Sequence, residues 1–157
     1  MHFLSLALLP FALALPAQVP MIVRDIIDVD FDSCSASNSV LNITISPCEV
    51  GNGSRDDPCH FSAGSNYTIT LTYVPPSNSS APRANLAAED PAGSGYAYSG
   101  QSFGACEYTA CPIEENVIST YTYKFVTLDS PFNRLTFNTT DGLEGPSLMC
   151  ASFPVVL

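Results

Sequence analysis

The sequence predicts an all-β sandwich that is closed by disulfides. Three observations predict it: apolar and polar residues alternate along several segments, the six cysteines form an even set, and nine glycines and thirteen prolines separate the short strands. The 157 residues suit a single domain on length. No internal repeat and no convincing helical pattern interrupts the alternation.

The alternation is clearest in the strand predicted over residues 67–73. Apolar side chains occupy every second position there and threonines occupy the positions between them. Because successive side chains of a strand point to opposite faces, one face is expected to meet a core and the other to meet water. The core-facing residues predicted here are Tyr67, Ile69, Leu71 and Tyr73.

Other segments repeat this period of two. Residues 23–31 predict a first strand with a less regular alternation, and residues 153–157 predict a last strand. Residues 84–88 predict a strand that precedes a long loop rich in Pro, Gly, Ser and Ala. Further core-facing positions are predicted at Leu41, Ile43, Ile45, Tyr121, Tyr123, Phe125, Leu135 and Phe137, and aromatic loop residues at Tyr96, Tyr98 and Phe103.

Five N-x-S/T sequons support an exported protein, since N-linked glycans are added in the secretory pathway. The sequon residues are Asn42, Asn52, Asn66, Asn78 and Asn138. Asn42, Asn66 and Asn138 fall on the polar positions of their predicted strands. A glycan can only project into solvent, so these sequons agree with the predicted register of three strands.

The N-terminus has the pattern of a signal peptide. Residues 3–16 are almost continuously apolar, and small residues at Ala14 and Ala17 offer cleavage positions. We expect residues 1–17 to be removed and residues 18–157 to form a single domain. No second hydrophobic segment of spanning length follows. The expected destination is the extracellular space or the lysosomal lumen, and the sequence leaves that choice open.

The charge balance excludes nucleic acid as a partner. The formal net charge is −10, with only five Lys and Arg residues in the whole chain. A nucleic-acid-binding surface needs a cluster of cations to neutralise phosphates, and five cations cannot build one. Attraction to an anionic membrane surface is disfavoured for the same reason.

Catalytic patterns are weak, so no enzyme and no cofactor is predicted. Residues 100–104 match G-x-S-x-G, but no helix is expected to start before Cys106 and no βαβ pattern surrounds the motif. His60, the one histidine after the signal peptide, lies upstream. The paired acids are sequence neighbours, which on a strand point to opposite faces. A metal site at Cys59 and His60 is disfavoured because the sequence contains no C-x-x-C motif.

The six cysteines of the exported chain predict three disulfides, and their number alone allows 15 pairings. Their order resembles that of the ML lipid-recognition family, which includes cholesterol-transfer proteins and the dust-mite group-two allergens. The resemblance covers about residues 24–157. Its motifs are Cys34, Ser46-Pro47-Cys48, Pro58-Cys59 with Phe61-x-x-Gly64, Ala105-Cys106, Cys111-Pro112-Ile113, and Cys150 with Phe153-Pro154-Val155.

This resemblance implies a fold as well as a pairing. The pairs it implies are Cys34–Cys150, Cys48–Cys59 and Cys106–Cys111. The fold it implies is an immunoglobulin-like β-sandwich of two antiparallel sheets with an apolar cavity between them. Family members that transfer cholesterol place an aromatic residue at the cavity mouth, and Tyr98, eight residues before Cys106, resembles that position. The loop between Cys48 and Cys59 is longer than usual for the family, and Gly and Ser replace its Pro-rich mouth loop.

The function implied is lipid binding or transfer, with a sterol or a related lipid held between the sheets. A membrane or a receptor protein would take part in lipid hand-off, and the chain is expected to be a monomer. Two alternatives stay open: a lipid-recognising receptor subunit or innate-immunity interaction protein, and a lipid-presenting cofactor of a lysosomal hydrolase. The predicted lipid-binding residues are Tyr96, Tyr98, Phe103, Tyr67, Ile69, Leu71, Tyr121, Tyr123, Phe125 and Phe137.

Overall fold

Ten strands and one short 3₁₀ helix make up the fold of the computed structural model, which describes residues 26–98 and 100–157. The predicted signal peptide and the start of the predicted first strand lie outside these residues. The strands are β1 Ile27–Asp28, β2 Asp32–Ser33, β3 Val40–Ser46, β4 Cys59–His60, β5 Asn66–Tyr73, β6 Pro82–Glu89, β7 Gly95–Ala97, β8 Ser119–Val126, β9 Arg134–Asp141 and β10 Ser147–Val156; the 3₁₀ helix is Ala105–Glu107.

The strands form two sheets. The first has the order β1-β3-β5-β8 and is antiparallel throughout. The second has the order β2-β10-β9-β6-β7 and is antiparallel along this path, while the two-residue β4 pairs in parallel with the end of β10. The all-β fold of two antiparallel sheets is thus confirmed, with one short parallel pair added. Within residues 26–98 and 100–157, no helix is long and apolar enough to cross a membrane.

The predicted alternation places the core between the two sheets. In β5 the four predicted core residues are buried, and the threonines between them are half-exposed. The same holds in β8, where Tyr121, Tyr123 and Phe125 are buried, and in β9, where Leu135 and Phe137 are buried. These residues face inward because they occupy alternate positions of strands that have one sheet face covered.

The prediction that Leu41 faces the core is wrong. The pairing of β3 with β5 shifts register between Val40 and Asn42, which marks a β-bulge. A bulge adds one residue to one strand and resets the alternation after it. Val40 is therefore buried, whereas Leu41 is 55% exposed and Asn42 also faces outward.

Three disulfides tie the sandwich together. Cys34–Cys150 joins the residue after β2 to β10 across a sequence separation of 116. Cys48–Cys59 joins the end of the β3 region to β4, and Cys106–Cys111 holds the segment that follows the 3₁₀ helix. These are the three pairs that the family resemblance implies.

The loop predicted after residue 88 contains a strand that the sequence did not indicate. β7 extends the second sheet by pairing Tyr96 with Ala88 and its neighbours with the adjacent residues of β6. Three residues rich in Gly and Ala carry too few apolar positions to show a period of two. This strand lies at the edge of the second sheet, where it places Tyr96 and leads to Tyr98.

Candidate functional site

One edge of the sandwich is crossed by a segment that contacts both sheets. We call Tyr98 together with residues 100–108 the edge segment. On the second sheet, the Tyr98 N–H donates to the Leu86 carbonyl at 3.0 Å, and the Phe103 carbonyl accepts from the Ala84 N–H at 2.9 Å. On the first sheet, the Tyr108 carbonyl accepts from the Thr122 N–H at 2.8 Å. The edge segment therefore spans the gap between β6 and β8.

An aromatic cluster closes the interior at the end where β5 begins. Phe61 stacks on Tyr67 with ring centroids 4.2 Å apart. The Tyr98 ring stands edge-on to Phe125 at 5.6 Å and to Phe132 at 5.7 Å. We call Phe61, Tyr67, Tyr98, Phe125 and Phe132 the end cluster. It brings together three predicted site residues and two that were not predicted as site residues.

A second set of rings continues from the end cluster into the middle of the sandwich. Tyr123 stacks on Phe125 at 5.2 Å and meets Phe137 of the opposite sheet at 5.8 Å. Tyr121 meets the same phenylalanine at 5.9 Å. Tyr108 of the edge segment packs against Tyr121 at 5.2 Å and against Tyr123 at 5.5 Å. The intersheet space is thus occupied by a continuous series of rings, and the apolar cavity implied by the resemblance stays a prediction.

The phenol groups give this interior a small number of neutral polar contacts. The Tyr121 hydroxyl accepts from the Gln101 side-chain amide at 2.6 Å, and the Tyr67 hydroxyl accepts from the Ser62 N–H at 2.9 Å. Burial raises the pKa of Tyr123 to about 12 and also raises the pKa of Tyr121. The Tyr121 and Tyr123 phenols therefore stay protonated and uncharged at physiological pH.

Charge is confined to the surface in the described part of the chain. The buried polar side chains there are serines and threonines, and none of the buried residues carries a formal charge. An uncharged interior lined by rings and aliphatic side chains favours an apolar ligand, because an ion moved into it would lose its hydration without a compensating partner. Among the described residues, the titratable groups that line this space are tyrosine phenols, and no carboxylate, imidazole or amine is buried there.

Phe103 lies away from the other predicted site residues. Its side chain is 60% exposed, and the Arg83 guanidinium stands 4.3 Å from the centre of its ring on the outer side of the second sheet. The path of residues 100–104 directs Phe103 outward, and this orientation could not be predicted from the composition of the loop. Tyr96 is half-buried, and its hydroxyl reaches the Pro131 carbonyl at 3.4 Å.

Sequence reasoning missed Phe61, Phe132 and Tyr108 as site residues. Phe61 belongs to the Phe61-x-x-Gly64 motif, so a signal for it existed. Phe132 follows a proline in a short loop, and Tyr108 lies inside the loop closed by Cys106–Cys111; neither position shows a strand period. Only the long-range contacts of these loops bring the two rings into the interior.

The G-x-S-x-G motif forms a local turn. The Ser102 hydroxyl donates to a Glu107 carboxylate oxygen at 2.5 Å and accepts from the Gly104 N–H at 3.2 Å. Both partners are sequence neighbours in the edge segment. The motif thus stabilises the approach to the 3₁₀ helix, consistent with its interpretation as a Gly-rich loop.

A shallow groove reaches the end cluster from outside. It has a volume of about 210 Å³ and is lined by Phe61, Ala63, Asp129, Pro131 and Leu157. Phe61 belongs to both the groove and the end cluster, and Pro131 accepts the Tyr96 hydroxyl. A second groove, of about 460 Å³, reaches the end cluster at Tyr67 and Phe125. The groove at Phe61 is the one of these two that also contains Pro131 of the loop between β8 and β9.

Two sheets packed face to face around an uncharged, ring-filled interior define an immunoglobulin-like β-sandwich. A profile of the ML domain matches residues 28–157. The chain belongs to the ML-domain family.

Solved structures agree with this fold. A Niemann-Pick type C2 protein from the Japanese carpenter ant superposes with a TM-score of 0.64 at 15% identity, over 81% of this chain and 98% of the other. Chicken MD-1 complexed with lipid IVa superposes with a TM-score of 0.52 at 12% identity, over 82% and 94%. Comparison with curated protein sequences finds no match.

Proposed function

We propose that this protein binds a lipid, a sterol or a close relative, between its two sheets and carries it through water. The observation that carries the proposal is the uncharged interior, in which buried aromatic and aliphatic residues of both sheets meet without a buried charge among the described residues. Apolar surface of this kind recovers free energy when it takes a lipid out of water. Membership of the ML-domain family supports the same class of ligand.

Access would require the end cluster to open. The rings of Tyr98, Phe125 and Phe132 occupy the space that a ligand would need, and two tyrosine hydroxyls link the β6–β7 side to the loop between β8 and β9. Separation of Tyr98 from Leu128 and of Tyr96 from Pro131 would release the middle of that loop, while backbone hydrogen bonds at Thr127 and Asn133 would still hold its ends. The groove beside Phe61 also contains Asp129 and Pro131 of that loop, so movement of the loop would widen this groove.

The energetics suit a carrier. A sterol has about 28 heavy atoms, and at about 0.3 kcal/mol per atom it would gain about 8 kcal/mol, which is near-micromolar affinity. This affinity would hold a lipid in water and still allow its release. Moving the end-cluster rings aside would cost free energy and reduce this binding free energy. A smaller cost of opening would therefore give tighter binding.

The decisive experiment is native mass spectrometry of the secreted, deglycosylated protein, followed by organic extraction and lipid identification. A retained sterol would support the proposal and name the ligand. A protein that arrives empty and also fails to bind sterol and fatty-acid probes would contradict it, since its interior would then be a closed core.

A second candidate, presentation of a bound lipid to a partner protein, is favoured by an exposed apolar patch. Phe103 is 60% exposed and Leu143 is 73% exposed, and both line a groove of about 350 Å³ beside Arg83. Exposed apolar residues that share a groove are typical of interaction sites. Rapid sterol transfer between vesicles by the protein alone would favour transport, whereas a lipid that does not exchange would favour presentation.

Export is part of the proposal. Residues 1–17 are proposed as the signal peptide, with the monomeric domain acting outside the cell or in the lysosomal lumen. The three disulfides suit an oxidising compartment. Four of the five sequon asparagines are exposed, which leaves room for glycans there.

A further inference from the structure

The inner face of β9 carries one hydroxyl among apolar side chains. Thr139 follows Leu135 and Phe137 at alternate positions, and all three are 0% exposed. The Thr139 Oγ1 has no hydrogen-bond partner. The other buried hydroxyls without a partner in the described residues, those of Ser39 and Ser77, lie on loops. Thr139 alone among them lies on a sheet strand.

Leaving this hydroxyl unpaired costs stability, so its persistence needs a reason. Most buried polar side-chain atoms in native proteins have a partner, and an exception is explained by an unseen water or by a functional role. Valine has nearly the same shape as threonine and lacks the unpaired group. The position would therefore be more stable as valine in a protein whose interior served only as a packed core.

The side chains beside Thr139 on the neighbouring strands are small or adaptable. Its cross-strand neighbours are Ala84 on β6 and Met149 on β10. Alanine is small, and methionine is an unbranched side chain that adjusts to irregular shapes. Ala84, Thr139 and Met149 lie side by side across three strands and form the least bulky such row on the inner face of the second sheet. The next row contains the larger pair Phe137 and Leu86.

Thr139 also lies far from the proposed opening. Leu135 lies four residues before Thr139, near the start of β9. The loop before β9 contains Phe132 of the end cluster, so β9 begins at the end-cluster side of the sandwich. At about 3.3 Å per residue, Thr139 lies about 13 Å further along the strand than Leu135. An elongated ligand inserted past the end cluster would place its leading end near this hydroxyl.

We propose that Thr139 is the deep polar contact of the site, and that the protein selects lipids with a hydroxyl or carbonyl group at the inserted end. This inference rests on the proposed function and deepens it. An isostructural hydrocarbon end would leave the threonine hydroxyl unpaired, whereas a hydroxylated end would pair it. Selection between such lipids would follow from that one hydrogen bond.

The test compares two sterols on the full secreted chain. One is a side-chain-hydroxylated cholesterol, which carries a hydroxyl at both ends and thus presents one in either orientation; the other is cholestane, which has none. Thr139→Val should weaken binding of the hydroxylated sterol about tenfold and leave cholestane binding unchanged. Thr139→Ser should retain the preference. Thr136→Val, on the outer face of the same strand, is the matched control and should change neither affinity.

The outcomes separate the two proposals. Equal changes for both sterols in Thr139→Val, or no change in either, would overturn the role of Thr139 while sterol binding by the wild-type chain still stood. A wild-type protein that binds neither sterol would overturn sterol as the ligand and this inference with it. Thermal unfolding without ligand gives an independent measure, since Thr139→Val should raise the midpoint by about 3 °C. A lower midpoint would show that the hydroxyl is already paired with a buried water and would overturn the inference.

Discussion

The Tyr98 hydroxyl accepts a hydrogen bond from the Leu128 backbone N–H at 3.1 Å. This bond joins the edge segment, which follows β7, to the loop between β8 and β9. The Tyr98 ring lies at the same time between Phe125 and Phe132. One side chain thus both fills the end of the interior and holds the loop that would have to move for a ligand to pass.

Removing the Tyr98 hydroxyl should therefore speed ligand exchange. We expect Tyr98→Phe to keep the ring contacts, to lower the free energy of unfolding by about 1 kcal/mol and to raise the sterol dissociation rate severalfold. Stopped-flow release of a fluorescent sterol measures the rate. Tyr96→Phe is the control, since its bond to Pro131 is long at 3.4 Å and its loss should have a smaller effect. Equal rates for wild type and Tyr98→Phe would show that this bond does not gate the site.

Truncation of two phenylalanines should affect stability to very different extents. Phe132 is 1% exposed inside the end cluster, so Phe132→Ala should lower the free energy of unfolding by about 3–5 kcal/mol. Phe103 is 60% exposed, so Phe103→Ala should change stability by less than about 1 kcal/mol and leave sterol affinity unaltered. Urea unfolding measures both. A strong loss of sterol binding in Phe103→Ala would show that Phe103 does contact the ligand.

The disulfides should differ in their contribution to stability. In the chain-entropy model, Cys34–Cys150 closes a long loop and contributes about 5 kcal/mol, while Cys106–Cys111 closes a short one and contributes about 2 kcal/mol. Replacing each pair by alanines and following urea unfolding tests the order. A larger loss from the Cys106–Cys111 pair would mean that this disulfide acts mainly by holding the edge segment in place.

Acid should weaken an ion pair at the rim of the second sheet. Arg55 donates two hydrogen bonds to the Asp32 carboxylate, at 2.6 and 2.8 Å, and this lowers the pKa of Asp32 from its ordinary value of 3.8. Because the folded-state pKa is the lower one, the contribution to stability is fully present above 3.8 and is lost as the pH falls below that value. The pair should therefore remain intact in a mildly acidic lysosome.

Thermal unfolding of Asp32→Asn across the acidic range tests this pH dependence. The midpoint difference between wild type and variant should be small, because both side chains are exposed, and should shrink as the pH is lowered through the Asp32 titration. Asp129→Asn serves as the control, since Asp129 is an exposed acid on a loop. A midpoint difference that stays constant with pH would contradict the assignment.

Sequon occupancy should follow exposure. Asn138 is half-buried in the middle of the second sheet, with Asn85 and Cys150 on the neighbouring strands, and its Oδ1 accepts from the Ser147 hydroxyl at 2.9 Å. Asn66, at the start of β5, is exposed. We expect Asn138 to be the least occupied of the five sites and Asn66 to be well occupied. Peptide mapping after enzymatic deglycosylation measures this, and full occupancy of Asn138 would contradict it.

Much of the sandwich could be predicted because alternation is a local property. Tyr67, Ile69 and Leu71 take one face of β5 whatever the partner strands are, since the period of two belongs to the extended backbone itself. Residue type then decides which face is buried. The same reasoning failed at Leu41, where a bulge depends on how β3 meets β5 and not on the order of its residues.

The sequence by itself determined the class of fold, the inward residues of the long strands and, through the order of its cysteines, the family. The tertiary structure decided which loop residues enter the interior. Tyr108 and Phe132 join the rings and Phe103 turns away because hydrogen bonds between distant segments, such as Tyr98 to Leu86 and Thr122 to Tyr108, fix the path of the edge segment. Local pattern cannot encode such contacts, since they depend on strands that are separate in sequence and adjacent only in the folded chain.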